Sequence, residues 1–374
     1  MSAKLPRILF LHHAGIVGGA ELHLLSLVRH FGSRARVLLF SDGPFREMLD
    51  STGVSVRVLR SKWTTSGVRG GTPRFNVVSV ADVLRLGWAT AEAMCDADVV
   101  WANSPRALFV ASVAQLIRRR PLVWYLHDLL EPSHFSASGI RLIVSTANAR
   151  ANRVLTNSRA AADAFVRAGG RAELIHVLYY GFEVPPLSPE PSNATRTTGV
   201  FGRITPWKGH DVVLRALARV PNVTAIFVGD EEDPDYANEL RRLARELNVQ
   251  DRIRFLGFRE NVAELMRSVG CIVHASTAPE PFGRVVVEAM LAQRPVIATN
   301  AGGVGEIVEH GVSGLLVSPR NVDALAGAIR RIFEHPAESR LMAERGRERA
   351  MEMFSEERMF RQIEQHLTEV LSDR

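Results

Sequence analysis

Short apolar runs alternate with helix-like segments along nearly the whole chain, and the alternation restarts once. The apolar runs extend from Arg7–His13 to His176–Tyr180 in the first half and from Thr198–Arg203 to Gly314–Val317 in the second. Strands that alternate with helices form parallel sheets that helices cover on both faces. The pattern therefore predicts an α/β protein with two doubly wound domains facing each other across a cleft. Ligands are expected beyond the carboxyl ends of the strands.

A proline-rich segment separates the two alternating regions. Residues 183–193 contain four prolines in eleven residues, which is typical of a linker. The chain has 374 residues, enough for about two domains of 100–200 residues each. We predict domains over 1–182 and 198–352, a linker over 183–197, and a final helical segment over 353–374.

Composition indicates a cytoplasmic protein. No apolar run approaches the roughly 20 residues of a membrane-spanning helix, and the first predicted strand begins too near Met1 for a signal peptide. Cys95 and Cys271 are the only cysteines, so neither a disulfide framework nor a cysteine metal site is expected.

Positive charge is concentrated in the first half. Residues 1–182 hold 22 Lys and Arg against 12 Asp and Glu, a net +10, whereas residues 183–374 hold 24 against 28, a net −4. A basic half favours an anionic partner such as a phospholipid surface, a lipid phosphate or an acidic acceptor. Scattered, solvated arginines explain the charge equally well. Nucleic acid is not expected as a partner because no binding motif accompanies the charge.

The segment Pro279–Met290 carries two glutamates, Glu280 and Glu288, eight positions apart. Pro281 prevents a regular helix at the start of the segment, and Gly283 allows the backbone to approach a ligand closely. A helix that begins here exposes free amides, which bind anions such as phosphate. By itself, a pair of glutamates at this spacing more often has a structural explanation, in which the first caps the helix and the second is exposed to solvent on its surface.

Two cations lie at and just after the end of the first predicted strand of the second domain. Arg203 and Lys208 flank a turn and precede a helix-like run. Arginine makes forked contacts with phosphate and lysine acts as a point charge, so the pair can hold a diphosphate. A solvated loop is the alternative interpretation.

Polar residues also follow strands of the first domain. His127 ends one predicted strand, and a glycine-rich turn with Gly18 and Gly19 follows another, although it is not a dinucleotide-binding fingerprint. The acidic run Asp230–Asp235 precedes a helix, where acids suit the helix dipole, and we predict no metal site there. The long polar loop Ser61–Pro73 is a candidate acceptor-binding segment.

With Arg203, Lys208, Glu280 and Glu288 in this order, the chain resembles the retaining glycosyltransferases of family 4, also called glycosyl transferases group 1. The resemblance is strongest over Gly199–Glu309 and rests on the two glutamates separated by seven residues and followed by Ala-Met. It implies the GT-B fold, with two Rossmann-like domains. The final segment would pack back on the N-terminal domain.

The resemblance also implies roles for these residues. A nucleotide sugar would lie mainly on the second domain, with its ribose hydroxyls held by Glu288. Arg203 and Lys208 would bind the diphosphate and stabilise it as it leaves. Glu280 would bind sugar hydroxyls and orient the ring. Backbone contacts to phosphate and sugar would come from Phe282, Gly283, Arg284 and Val285.

From the N-terminal, acceptor-binding domain, His127 would support the transition state. Gly18 and Gly19 would close over the donor phosphates or the acceptor. The predicted catalytic residues are thus His127, Glu280, Arg203 and Lys208. The sequence does not indicate the residues that bind the acceptor, the oligomeric state, the nucleotide base or the sugar.

The predicted function is transfer of a hexosyl group from a UDP- or GDP-linked sugar to a hydroxyl of a lipid, saccharide or small metabolite. Such a reaction belongs to polysaccharide or glycoconjugate biosynthesis. It would follow a metal-independent front-face mechanism with retention and use no cofactor beyond the nucleotide-sugar co-substrate. Weak association with the inner face of the membrane fits the basic first half. The alternatives are a nucleotide-sugar epimerase and an inactive partner subunit.

Overall fold

The computed structural model describes residues 5–61, 77–132, 134–186 and 196–372. It divides the chain into two compact units, one of Met1–Gly181 with Glu356–Arg374 and one of Phe182–Ser355. The second unit begins at Phe182 because the backbone of this residue pairs with Phe354 and Ser355. The predicted loop after Ser61 and most of the predicted linker lie outside the described residues.

The first unit is built on a parallel sheet. Its strands are β1 Ile8–His12, β2 Ala35–Leu39, β3 Ser55–Val58, β4 Val99–Ala102, β5 Leu122–Leu126, β6 Arg153–Thr156 and β7 Ile175–Val177. Their spatial order is β3-β2-β1-β4-β5-β6-β7, so the direction of strand progression reverses between β1 and β4. This reversal is the place where doubly wound sheets bind ligands.

Helices cover this sheet. They are α1 Gly19–Phe31, α2 Pro44–Asp50, α3 Val77–Ala93, α4 Pro105–Ile117, α5 Ala137–Arg150 and α6 Arg159–Arg167. Serine side chains cap three of them: Ser104 accepts a hydrogen bond from the amide of Ala107, and Ser136 and Ser158 do the same for α5 and α6. Such caps satisfy amides that have no partner within the helix and so fix where each helix begins.

The second unit repeats the architecture with six parallel strands. They are β8 Thr197–Phe201, β9 Thr224–Val228, β10 Ile253–Gly257, β11 Cys271–His274, β12 Val296–Thr299 and β13 Leu315–Val317. The order is β10-β9-β8-β11-β12-β13, with the reversal between β8 and β11. The helices are α7 His210–Leu217, α8 Pro234–Glu246, α9 Val262–Arg267, α10 Arg284–Leu291, α11 Val304–Ile307, α12 Val322–Glu334 and α13 Pro336–Phe354.

The last helix, α14 Glu356–Ser372, belongs to the first unit. The ring of Phe360 stacks on His30 of α1 with centroids 3.9 Å apart, and Glu364 lies 2.8 Å from the same histidine. Arg153 of β6 donates a hydrogen bond to Glu369. The helix is therefore fixed at several points along its length.

The structure confirms the α/β class and the two doubly wound sheets. Each predicted strand is present, with ends shifted by one to a few residues. Within the described ranges, no helix is long and apolar enough to cross a membrane. Cys95 is exposed and Cys271 is buried.

A buried histidine in the second unit makes stability depend on pH. His210 is fully buried against Phe227, and burial first, then the charge of Lys208, lowers its pKa from 6.5 to about 3. Below pH 6.5 the unfolded chain binds a proton that the folded chain does not. The contribution of His210 to the free energy of unfolding is therefore complete above pH 6.5. It falls as the pH decreases towards 3, by up to about 1.4 kcal/mol per pH unit.

We expect His210→Leu to flatten this dependence. Calorimetric unfolding between neutral pH and mild acid should show a smaller loss of stability for the variant than for the wild type. The matched control is His335→Leu, which removes an exposed histidine and should leave the dependence unchanged. Equal pH dependence in His210→Leu and wild type would contradict the assignment.

Candidate functional site

The carboxyl ends of β8 and β11 meet at the strand reversal of the second unit and position Lys208. Residues Pro206–Lys208 form one turn of 3-10 helix before α7. The next residue, Gly209, has φ 72°, and a Cβ there would lie 2.0 Å from the carbonyl oxygen of Ala275. Only glycine permits this approach. The amide of Thr277 donates to the carbonyl of Trp207, 2.7 Å away, so the turn is tied to the segment after β11.

Glu280 lies at the centre of this cluster. Its Oε1 accepts hydrogen bonds from Lys208 Nζ at 2.6 Å, from His274 Nε2 at 2.8 Å and from the hydroxyl of Ser276. Its backbone carbonyl accepts from the amide of Gly303 at 2.8 Å. Both the side chain and the main chain of Glu280 are therefore fixed.

The electrostatics of Glu280 favour the carboxylate. Burial raises its pKa, but the charges and hydrogen bonds of His274 and Lys208 outweigh burial, and the net pKa lies well below the ordinary value. A buried charge that is paired and hydrogen-bonded avoids most of the desolvation cost of an isolated one. The cluster therefore favours the ionised form of Glu280 beside the Lys208 side chain.

Two arginines near the site, Arg203 and Arg284, also have acidic partners. Arg203 follows β8, is exposed, and lies 2.9 and 3.1 Å from the two carboxylate oxygens of Glu232. Arg284, in the first turn of α10, lies 3.3 Å from Glu288 one turn later and has its guanidinium 4.5 Å from the centroid of the Phe182 ring. Both predicted phosphate-binding cations, Lys208 and Arg203, thus have a carboxylate partner, and so has Arg284, which was predicted to contribute its backbone.

The start of α10 is shaped by Gly283. Its φ of 117° is unfavourable for any other residue, and a Cβ would lie 2.8 Å from the Val304 side chain. The amides of Arg284 and Val285 follow directly and belong to the first turn, where amides have no helical acceptor. Phe282 is buried against Phe354 with ring centroids 5.6 Å apart. The segment therefore presents backbone amides from a rigid base.

In the first unit, His127 follows β5 and belongs to a hydrogen-bonded network of side chains. His12 Nε2 lies 2.6 Å from Glu21 Oε1, and His12 Nδ1 lies 3.3 Å from Asn103 Nδ2. Asn103 Oδ1 lies 3.0 Å from His127 Nε2, and His127 Nδ1 lies 2.6 Å from the Tyr180 hydroxyl.

The Glu21 carboxylate at one end of this hydrogen-bonded network determines which atoms donate and which accept. The carboxylate of Glu21 accepts, so His12 donates from Nε2 and accepts the Asn103 amide at Nδ1. The amide oxygen of Asn103 then accepts from His127 Nε2, which leaves Nδ1 to accept the hydroxyl of Tyr180. Burial, then the neighbouring histidines His23, His12 and His13, hold the pKa of His127 well below 6.5. His127 is therefore neutral with a fixed tautomer.

Gly18 and Gly19 are at the start of α1 in the same unit. Gly18 is the N-cap residue and has an extended backbone, and Gly19 is the first helical residue. Glu21, two residues later, is the acid at one end of the hydrogen-bonded network. The glycine-rich turn and His127 are thus linked through His12 and Asn103.

The structure brings Lys208 and Glu280 into direct contact, whereas the sequence analysis gave them separate tasks. It also adds participants that the sequence analysis missed, namely His12, Asn103, Tyr180, Glu232, His274 and Ser276. Most of these follow a buried strand within a few residues, and this position is a signal that the sequence contains. In the described ranges, no group of three or more His, Cys, Asp or Glu could hold a metal ion.

Two family models match the chain in succession. Glycosyltransferase Family 4 matches residues 17–184, and Glycosyl transferases group 1 matches residues 189–349. Together they cover both units and include every predicted site residue.

A solved structure aligns over almost the full length. Anabaena Alr3699/HepE in complex with UDP and glucose is 38% identical, with a TM-score of 0.87 over 97% of this chain and 99% of that one. The same protein in complex with UDP-glucose aligns with a TM-score of 0.84.

Matches to curated relatives are shorter. The lipopolysaccharide core biosynthesis glycosyltransferase LpsE of Rhizobium meliloti is 32% identical over 157 residues, which are 42% of this chain and 45% of that protein. D-inositol 3-phosphate glycosyltransferase of Mycobacterium marinum is 38% identical over 138 residues, 36% of this chain and 29% of that protein. The chain thus matches less than half the length of these two relatives. With the two family models and the full-length match to Alr3699/HepE, it belongs to glycosyltransferase family 4 and has the GT-B fold.

Proposed function

We propose that the chain is a retaining glycosyltransferase that moves a hexosyl group from a UDP-linked sugar to an acceptor hydroxyl. The observation that carries the proposal is the 38% identity, over 97% of this chain, to a protein solved with UDP and glucose. The paired charges at the strand reversal of the second unit supply the chemistry such a donor needs. GDP-linked sugars remain the other donor class that the family allows.

The donor diphosphate is assigned to Lys208, Arg203 and the first amides of α10. Arg203 has an exposed carboxylate partner in Glu232, and donor binding exchanges this carboxylate for phosphate oxygens. The Lys208 ammonium has three N–H donors, so it keeps Glu280 and adds a phosphate oxygen. Because Lys208 lies next to the fixed negative charge of Glu280, its ammonium stays in place while the exchange occurs. Glu288, on the partly exposed side of α10, is assigned to the ribose hydroxyls.

The reaction breaks the bond between the anomeric carbon and the diphosphate oxygen. Both electrons of that bond go to the leaving UDP, and the sugar takes on oxocarbenium character. Fixed cations at Lys208 and Arg203 lower the energy of the developing anion. The acceptor oxygen then bonds to the anomeric carbon on the face that the phosphate leaves, and its proton passes to the phosphate. The configuration is therefore retained, and the proposal assigns no metal to the step.

Glu280 is assigned to positioning and to sugar hydroxyls. Its Oε1 already accepts from Lys208, His274 and Ser276. A carboxylate held this way is a poor nucleophile because attack would cost its ion pair. His127, neutral and fixed by Asn103 and Tyr180, is proposed to support the sugar from the first unit, and Gly18 and Gly19 to close over the phosphates or acceptor.

The acceptor is proposed to be a hydroxyl of a lipid-linked or other saccharide, or of a small metabolite. The net charge of +10 over residues 1–182 supports an acceptor that is anionic or is presented at an anionic surface. Weak attachment to the inner face of the membrane is part of this proposal.

The direct test is turnover of UDP-glucose with a panel of saccharide and lipid-linked acceptors. We expect UDP release that depends on the acceptor and an α-linked product from the α-linked donor, detected by proton NMR. An inverted product would contradict retention. Conversion of the donor sugar without acceptor would favour an epimerase, and binding of UDP-glucose without any product would favour an inactive subunit.

Removing the cation at Lys208 should impair chemistry. For Lys208→Gln we expect kcat to fall roughly 100- to 1,000-fold, which is the usual effect of removing one preorganised group that stabilises developing charge. Steady-state UDP release measures the effect, and a thermal unfolding scan checks that the variant is folded. The matched control, Arg245→Gln, neutralises an exposed cation on α8. Unchanged kcat in folded Lys208→Gln would refute the assignment.

The assignment of Glu288 predicts a loss that depends on the ribose. Glu288→Gln should weaken binding of UDP-glucose by about tenfold or more, since hydrogen bonds to charged groups contribute roughly 1.5–3 kcal/mol. Binding of an analogue that lacks both ribose hydroxyls should be equally weak in wild type and variant. Calorimetry measures both, with the exposed Glu239→Gln as control. If Glu288→Gln weakened the binding of UDP-glucose and of the analogue by the same factor, Glu288 would not contact the ribose hydroxyls.

A further inference from the structure

An exposed apolar stripe runs along α3 of the first unit. Val80, Leu84 and Trp88 recur every four residues and therefore share one face of the helix. They are 53%, 57% and 61% exposed. Large side chains exposed together mark interaction sites more often than single exposed ones do.

The C-terminal end of α4 extends the apolar surface. Leu116 and Ile117 are 66% and 53% exposed. The two helices pack closely: a Cβ at Gly87 would lie 2.5 Å from Cγ1 of Val113. Ile117 lies one turn after Val113 on the same side of α4, and Trp88 directly follows Gly87. The two apolar groups are thus neighbours, and we name the five residues Val80, Leu84, Trp88, Leu116 and Ile117 the α3–α4 patch.

Basic residues border the α3–α4 patch. Arg118 and Arg119 directly follow Leu116 and Ile117 at the end of α4 and are exposed. Neither α4 nor α5 contains an aspartate or glutamate. On α3, Asp82 is buried and paired with Arg85 at 2.7 Å, and Glu92 accepts a hydrogen bond from Trp88 Nε1. The charged side chains at the C-terminal end of α4, Arg118 and Arg119, are therefore positive and have no acidic residue on α4 beside them.

We propose that the α3–α4 patch docks on an anionic phospholipid surface. Apolar side chains that include a tryptophan enter the boundary between headgroups and acyl chains, and the bordering arginines pair with lipid phosphates. A second copy would bring the same patch to the contact, and the acids on α3, Asp82 and Glu92, already have partners in Arg85 and Trp88. Lipid phosphates therefore complement the bordering arginines better than a second copy does. The proposal rests on the membrane attachment in the proposed function and names the surface that makes this attachment.

The position of the patch suits this role. Trp88, Leu116 and Ile117 lie near the helix ends that lead into the amino ends of β4 and β5. His127 and Asn103 lie at the opposite, carboxyl edge of the same sheet. Docking therefore leaves the polar edge of the first unit uncovered, and variants in the patch do not touch the proposed catalytic residues.

The test is co-sedimentation of the full chain with vesicles of phosphatidylcholine alone or mixed with phosphatidylglycerol. We expect binding to the anionic vesicles that weakens with salt, and little binding to the neutral ones. Arg118→Gln with Arg119→Gln should reduce the affinity about 30-fold, from roughly 1 kcal/mol per basic residue at an anionic surface. Leu84→Ser with Trp88→Ser and Ile117→Ser should also reduce binding strongly.

Matched controls lie on the second unit. Phe258→Ser removes an apolar side chain that is 68% exposed, and Arg245→Gln with Arg254→Gln removes two exposed cations. Neither should change vesicle binding. Brominated lipid should quench wild-type tryptophan fluorescence more than that of Trp88→Phe, which reports insertion at this residue.

Three results would overturn the proposal. They are failure of the wild type to bind anionic vesicles, binding that the patch variants leave intact, and a dimer that the patch variants convert to monomer without any vesicle binding. UDP-glucose turnover with a soluble acceptor is measured on the same variants and should be unchanged. Vesicle binding without turnover would refute glycosyl transfer but not the docking surface. Turnover without vesicle binding would refute the docking surface and the membrane attachment but not glycosyl transfer.

Discussion

The buried ion pair between Lys208 and Glu280 is the interaction on which the second unit's site depends. It joins two segments 72 residues apart in the sequence, one after β8 and one after β11, at the reversal of the sheet. His274 and Ser276 share the same carboxylate oxygen, so the charge is held by a network rather than by one partner. Removing the Lys208 charge would leave the buried Glu280 carboxylate with only His274 and Ser276 as partners, which is costly. The structure thereby keeps a cation ready where the diphosphate of a sugar donor is proposed to lie.

A second network plays the corresponding part in the first unit. The chain from Glu21 through His12 and Asn103 to His127 settles each proton position because its end is an acceptor-only carboxylate. It holds a neutral imidazole at the strand edge and connects it to the turn that carries Gly18 and Gly19. Both units therefore share one arrangement: polar residues at the ends of buried strands hydrogen-bond to one another at the carboxyl edge of the sheet.

The alternation of apolar runs was sufficient to predict the fold class and the strands, because a strand buried on both faces is apolar throughout. Strand ends were predicted less well: His127 and Arg203 were included in strands, whereas β5 ends at Leu126 and β8 at Phe201. These residues are polar and lie where the ladder stops, and the sequence contains no separate signal for the last hydrogen bond of a strand. The site residues were predicted through the resemblance to family 4, which their residue types and spacing carry, and their roles stay predictions.

By itself, the sequence determined the chemistry that is available: two glutamates eight positions apart, two cations after a strand, a histidine after another strand, and a basic first half. Residue types and strand positions are local properties, so a single chain displays them before it folds. Only the tertiary structure decided which of these groups touch. Lys208 pairs with Glu280 and Arg203 with Glu232 because the order of strands in the sheet brings distant loops to one edge. The exposed stripe on α3 is likewise a tertiary result, since an apolar residue on a helix becomes a surface patch only when no other element covers it.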